Sequence, residues 1–198
     1  MLQRSEEPES FIQTINTGQR LLHNRPDFMQ EKRISAADRG TAVHAVMQHL
    51  PLTAKMDLKE IDELIETLIG KEIISSDEGR AVKGAEIARF FDSHIAERLM
   101  NARSIKREVP FTYAKEDGDG DRQIIQGIVD CLFEEQDGWV LLDYKTDRAE
   151  GIADLSLEMN QRYGVQLTVY QEAVEAILQI PIKQRLLYLF SADKEVEI

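Results

Sequence analysis

Residues 126–147 run Q-G-I-V-D-C-L-F-E-E-Q-D-G-W-V-L-L-D-Y-K-T-D, from Gln126 to Asp147. Two apolar runs flank a polar turn ending in Asp137-Gly138, a strong hairpin signal. Each run carries one acid, Asp130 and Asp143, and Lys145 follows Asp143 by two. On a strand, residues two apart share a face, so Lys145 and Asp143 point the same way. Asp143 closes the run V-L-L, where a buried carboxylate needs a partner or an ion. Gly127 fits a backbone approached closely by something else.

Two carboxylates on neighbouring strands can converge on one divalent ion, and Mg2+ or Mn2+ prefers such hard oxygen donors. A cation beside them can orient water or stabilise charge building on a phosphoryl group. Asp130, Asp143 and Lys145 are therefore the minimal catalytic set for phosphodiester hydrolysis. An ordinary surface salt bridge explains a lone D-x-K triplet equally well.

Upstream of the hairpin the spacing is helical. Residues 1–34 are expected to hold one short helix around Phe11, Ile12 and Ile15 and then an irregular arm, broken at Arg25-Pro26. Ser35 or Asp38 can cap a helix whose stripe is Val43, Val46, Met47 and Leu50, stopped by Pro51. Asp57 to Ile69 repeats the amphipathic pattern. Ser75 and Glu78 have capping-box spacing, and Ala81 to Met100 is expected to form one or two helices. The period then changes to two. Ile105, Val109, Phe111 and Tyr113 alternate as a strand, and Ile124–Phe133 and Trp139–Tyr144 follow as two more. Leu155 to Leu178 returns to helical spacing through Val165, Leu167, Val169, Tyr170, Val174, Ile177 and Leu178. Arg185–Phe190 is a last apolar strand suited to a buried position. The predicted fold is α+β, a small mixed sheet of four to five strands flanked by helices, with a helical amino-terminal half.

The chain has 198 residues, 42% hydrophobic and 30% charged, enough for one well-cored domain. No apolar run approaches the ~20 residues of a membrane span, and no signal-peptide layout opens the chain. With one cysteine, Cys131, an internal disulfide and a four-thiolate iron–sulfur cluster are both excluded. A cytoplasmic location is expected. No G-x-x-x-x-G-K-[ST] phosphate loop is present, so no ATP site is expected in this chain. The net charge of −12 opposes unaided binding of a polyanion.

Four separated stretches carry a resemblance: G-T-A-V-H ending at His44, Q-G-I-V-D ending at Asp130, L-L-D-Y-K-T with Asp143 and Lys145, and Q-L-T-V-Y from Gln166 to Tyr170. In order and spacing they resemble the RecB-like branch of the PD-(D/E)xK nucleases, a restriction-endonuclease-like α/β fold. R-P-D-F-M, A-A-D-R-G-T-A-V-H-A-V-M-Q-H-L and G-I-V-D-C-L-F are most similar to the carboxy-terminal nuclease domains of helicase-nuclease subunits from recombination-repair complexes. The resemblance implies a metal-dependent exonuclease acting on DNA, on a single strand fed by a helicase. It implies metal ligation by His44, Asp130, Asp143 and the Tyr144 carbonyl, with Lys145 as the catalytic lysine. Gln166 and Tyr170 would support the site or touch the DNA backbone, and Glu108 matches an acid that precedes the hairpin strand in the family. The implied cofactor is Mg2+ or Mn2+. The implied partners are helicase domains of the same parent protein and a second nuclease subunit. Residues 35–198 are then a nuclease domain excised from a larger helicase-nuclease, preceded by the arm of residues 1–34. A non-catalytic docking module of a repair complex is the alternative that the acidity favours.

Three further features have simpler expectations. Asp117-x-Asp119-x-Asp121 imitates a calcium loop but lacks its glycine and closing glutamate, so a solvated turn is expected. Arg98, Arg103, Lys106 and Arg107 form a basic cluster for which a solvated face is expected, and it is also the best candidate for phosphate contact. Tyr163, Tyr170 and Tyr188 could stack on unpaired bases, with core packing the expectation for Tyr188.

Overall fold

The computed structural model describes residues 34–116, 122–149 and 151–198. The expected amino-terminal helix and the acidic turn at 117–121 lie outside the described residues. Six helices and five strands follow in chain order: α1 Ala36–His49, α2 Leu58–Gly70, α3 Ser76–Ala81, α4 Gly84–Phe90, α5 His94–Met100, β1 Ser104–Glu116, β2 Arg122–Glu135, β3 Gly138–Lys145, α6 Leu155–Leu178, β4 Ile182–Leu189 and β5 Lys194–Glu197.

The amino-terminal half is helical because its start signals are local. Ser35 caps α1 through a full capping box: the Asp38 N–H donates to Ser35 Oγ at 3.1 Å and the Ser35 N–H to the Asp38 carboxylate. Asp57 with Glu60 and Ser75 with Glu78 repeat the device at α2 and α3. Each such cap contributes about 1 kcal/mol. The stretch from Ala81 to Met100, expected to form one or two helices, holds two, α4 and α5, and α3 ends where it begins. Val82 leaves the helix in extended geometry, and Ser93 starts α5 by accepting the Ala96 N–H. The inward residues are as expected: Val82, Ile87, Phe90, Phe91, Ile95 and Leu99 are all buried.

The five strands form one mixed sheet in sequence order, β1-β2-β3-β4-β5. β1–β2, β2–β3 and β4–β5 are antiparallel, whereas β3–β4 is parallel, with α6 as the crossover. A two-residue turn, Gln136-Asp137, joins the paired Glu135 and Gly138. β1 is an edge strand, which is where Pro110 can be tolerated. Lys194–Glu197, only one of whose residues is buried, is the strand that the sequence pattern did not reveal.

Helices α1–α5 pack on one face of the sheet through Cys131, Phe133, Val140, Leu142, Tyr144, Leu186 and Tyr188. On the other face α6 packs with Val129, Leu132, Leu141, Leu187 and Leu189. The central strands are covered on both sides, hence their continuous apolar runs. Four of the seven residues of the expected α6 stripe are buried, but Val165 is 77% exposed, Ile177 46% and Leu178 38%, so these three lie off the packed face.

The alternation of β1 and β2 is broken at one point. Val109, Phe111 and Tyr113 pack towards α6, yet Ile105 in the same phase packs towards α1–α5. In β2 the change falls between Val129 and Cys131. The ladder pairs Arg107 with Cys131 and Val109 with Val129, so Glu108 and Asp130 stand opposite each other at the change of phase. Glu108 has φ 49°, a backbone state that non-glycine residues rarely adopt. Such strain gathers at functional positions.

Candidate active site

Four elements bring their side chains to this point. His44 comes from α1, Glu108 from β1, Asp130 from β2, and Asp143 with Lys145 from β3. Arg107 fixes the helix relative to the strands. Its guanidinium donates to the carbonyls of Met47, Gln48 and Leu50 at 3.2, 2.8 and 2.7 Å, closing the carboxy-terminal end of α1. His44 is thereby held over the sheet.

His44 Nδ1 lies 3.1 Å from Asp130 Oδ1. The other Asp130 oxygen accepts the Tyr144 N–H at 2.8 Å. One potential ligand atom from each of His44, Glu108 and Asp130 lies within 4.8 Å of the others. Asp143 stands beside this trio, 2% exposed, with Oδ2 2.7 Å from Lys145 Nζ. That oxygen is buried and takes no well-directed hydrogen bond from the described residues.

The charges follow from this crowding. Burial alone would lower the His44 pKa, but the charge and hydrogen bond of Asp130, with Asp143 beyond, raise it to about 9. Burial pushes the Asp143 carboxyl upward, the neighbouring Asp130 adds to this, and Lys145 opposes it. For Lys145, burial works against the ammonium, but Asp143 outweighs it and the pKa is raised. The site thus concentrates negative charge that its own cations only partly offset.

This donor set fits a divalent cation. It offers one imidazole nitrogen and several carboxylate oxygens, two acids are almost buried, and one carboxylate oxygen lacks a directional donor.

The downstream pair joins the site through α6. Gln166 Oε1 accepts from Lys145 Nζ at 3.4 Å, and Gln166 Nε2 donates to the Tyr170 hydroxyl at 2.8 Å. Tyr170 is fully buried, as is Tyr188 at 1% exposure, so neither can stack on a base. Tyr163 is half-buried and its ring face lies 4.5 Å from Lys145 Nζ. Three of the four residues of the basic cluster are engaged elsewhere: Arg98 is bidentate on Glu135, Arg107 caps α1, and Lys106 lies over the Trp139 ring, whereas Arg103 is exposed. Arg39 was not singled out by the sequence. It donates to the Thr146 carbonyl at 3.3 Å and to Glu86, anchoring the chain just past Lys145.

Gly127 has the tight surroundings its position implied. A Cβ there would come within 2.7 Å of Phe111 Cζ and 3.2 Å of Tyr170 Cε1.

Among curated proteins, an A-type subunit of the ATP-dependent helicase/nuclease from Lysinibacillus sphaericus (strain C3-41) is 43% identical over 203 residues, covering 99% of this chain. The protein of the same name from Bacillus licheniformis is 43% identical over 183 residues, covering 86% of the chain. That from Bacillus velezensis is 40% identical over 187 residues, covering 88%. The chain spans only 16%, 15% and 15% of the length of these three relatives. A family model described as the PD-(D/E)XK nuclease superfamily matches residues 16–197. Because that match contains every element that brings His44, Asp130, Asp143 and Lys145 together, the chain belongs to the PD-(D/E)XK nuclease superfamily.

Proposed function

We propose that this chain is the DNA nuclease domain of an AddA-type helicase-nuclease, degrading a single strand exonucleolytically during the processing of double-strand ends. The observation that carries the reading is the His44–Glu108–Asp130 cluster set directly beside the Asp143–Lys145 pair. His44, Glu108, Asp130 and Asp143, with the Tyr144 carbonyl, would hold Mg2+ or Mn2+. Such an ion lowers the pKa of a water and offsets charge on phosphoryl oxygens.

Hydrolysis adds water across one P–O bond: its oxygen attacks phosphorus and the leaving oxygen gains a proton. Lys145, kept as an ammonium by Asp143, orients the attacking water and stabilises charge on the pentacoordinate phosphorus. Gln166 steadies Lys145 and is itself held by Tyr170. The burial of Asp143 and Lys145 lowers the local dielectric and strengthens these interactions.

The net charge of −12 makes unaided capture of a polyanion poor. Helicase domains of the parent protein, together with a second nuclease protein of the AddB type, would deliver the strand. The same acidity is the observation that favours a docking module without catalysis.

Labelled single-stranded DNA incubated with the purified protein and Mg2+ or Mn2+ tests both readings. Degradation is expected, with a loss of at least about 100-fold in Asp143→Ala and Lys145→Ala. Absence of both cleavage and metal binding would favour the docking module. Unchanged activity in either variant would sink the catalytic assignment.

A further inference from the structure

Tyr163 precedes Gln166 by three residues and Tyr170 by seven, so all three lie along one face of α6. Lys145 Nζ is enclosed on three sides: Asp143 Oδ2 at 2.7 Å, Gln166 Oε1 at 3.4 Å, and the Tyr163 ring with its centroid at 4.5 Å. The phenol of Tyr163 is itself engaged. Burial raises its pKa, and the charge and hydrogen bond of Asp147 raise it further. Asp147 lies in an anchored segment. Its carbonyl accepts from Ser191 Oγ, which in turn accepts the Ala149 N–H at 3.2 Å, and Arg39 holds the Thr146 carbonyl. A lysine on a flexible four-carbon stem, two residues from this segment, would otherwise sample many rotamers.

We propose that Tyr163 is a positioning residue for Lys145. Its ring forms a wall that keeps the ammonium over Asp143. A ring face attracts a cation without competing for its hydrogens as a carboxylate would, so the N–H groups stay available to Gln166 and the reacting centre. Because the Lys145 side chain is only 15% exposed, the attraction is weakly screened by water. The same geometry leaves this ring face unavailable to a base, so Tyr163 acts through the lysine. The proposal rests on the reading of Lys145 as the group that acts on phosphate.

The test compares the wild-type chain with Tyr163→Phe, Tyr163→Leu, Lys145→Ala and the Tyr163→Leu/Lys145→Ala double variant, on single-stranded DNA with Mg2+. Tyr163→Leu is expected to lower kcat on the order of tenfold while KM for DNA stays close to that of the wild type. Tyr163→Phe, which keeps the ring, should restore most of the rate. The double variant should be no slower than Lys145→Ala alone. A rise in KM with kcat unchanged would make Tyr163 a DNA contact and overturn the proposal, as would equal loss in the Phe and Leu variants. An unimpaired Lys145→Ala enzyme would instead overturn the role given to Lys145. One measurement needs no variant enzyme activity: in the wild-type protein the Lys145 ε-methylene protons should resonate upfield of those of the other lysines, shifted by the ring. An ordinary chemical shift there overturns the proposal even if Tyr163→Leu fails to fold.

Discussion

Asp130 and Tyr144 are joined where a strand ladder stops, the carboxylate of one accepting the main-chain N–H of the other at 2.8 Å. The last β2–β3 rung pairs Cys131 with Leu142. One residue further along, the side chain of Asp130 does what a main-chain carbonyl would have done. Asp130 thus ends the ladder while its second oxygen faces His44. The structural and chemical roles separate by substitution. Asp130→Ala leaves the buried Tyr144 N–H unpaired, which costs about 1–3 kcal/mol. Asp130→Asn keeps an oxygen for that N–H and should cost less, yet it removes a charge a cation needs. Denaturant unfolding alongside calorimetric Mn2+ titration distinguishes them. Equal destabilisation by Ala and Asn would contradict this division.

Gly127 marks a second contact between hairpin and helix. An added Cβ would meet Phe111 Cζ at 2.7 Å and Cε1 at 2.8 Å, with Tyr170 Cε1 at 3.2 Å. Phe111 and Tyr170 already pack edge to face, their centroids 5.3 Å apart. Gly127→Ala should therefore destabilise by about 1–3 kcal/mol through overpacking. Phe111→Leu in the same chain should recover part of that loss, a non-additivity readable by thermal unfolding. Strictly additive effects would mean that the phenylalanine ring is not the obstacle.

Glu135 sets an acid limit to stability. Two hydrogen bonds from Arg98, at 2.8 and 2.9 Å, together with Lys183, outweigh partial burial and lower its pKa from 4.5 to about 2. A carboxyl depressed in the folded state stabilises fully above its unfolded value and progressively less as pH falls through its folded value. The contribution should therefore fade between about pH 4.5 and 2. Glu135→Gln should lower stability by about 1 kcal/mol at pH 7, since the group is partly exposed, and the difference from wild type should close across that window. A difference that persists at pH 2 would assign the effect to shape instead of charge.

The parts of the fold legible in the sequence are those with local causes. Ser35 and Ser75 cap helices because a hydroxyl and an acid three residues on complete a box. The hairpin from β2 to β3 follows from two apolar runs around a polar turn that ends in Asp137-Gly138. His44, Asp130, Asp143 and Lys145 were visible as spaced motifs, and they do converge. The illegible parts depend on distant partners. Nothing local marks Glu108 for φ 49°, because the strand changes phase there to suit two helical layers. Arg98 and Arg107 look like a phosphate-binding patch until Glu135 and the end of α1 are placed beside them. β5, K-E-V-E, is too short and too charged to register as a strand.

Cys131 supplies a probe of the site that does not depend on catalysis. It follows Asp130 directly, is fully buried, and burial pushes its thiol up to about 12. The reactive thiolate is thus absent in the folded chain, and alkylation requires β2 to open. As the chain has one cysteine, the signal is unambiguous. A cation held by His44, Glu108 and Asp130 binds the closed form only, so it should slow labelling by mass action. At 100 times its Kd the stabilisation is about 2.7 kcal/mol, or about 100-fold in rate where opening is a rapid pre-equilibrium. Mn2+ should therefore protect the wild-type thiol strongly and leave Asp130→Asn nearly unprotected, with mass spectrometry reading one adduct per chain. Labelling at the same rate with and without Mn2+ would show that the cluster holds no cation, and equal protection in Asp130→Asn would place the ion elsewhere.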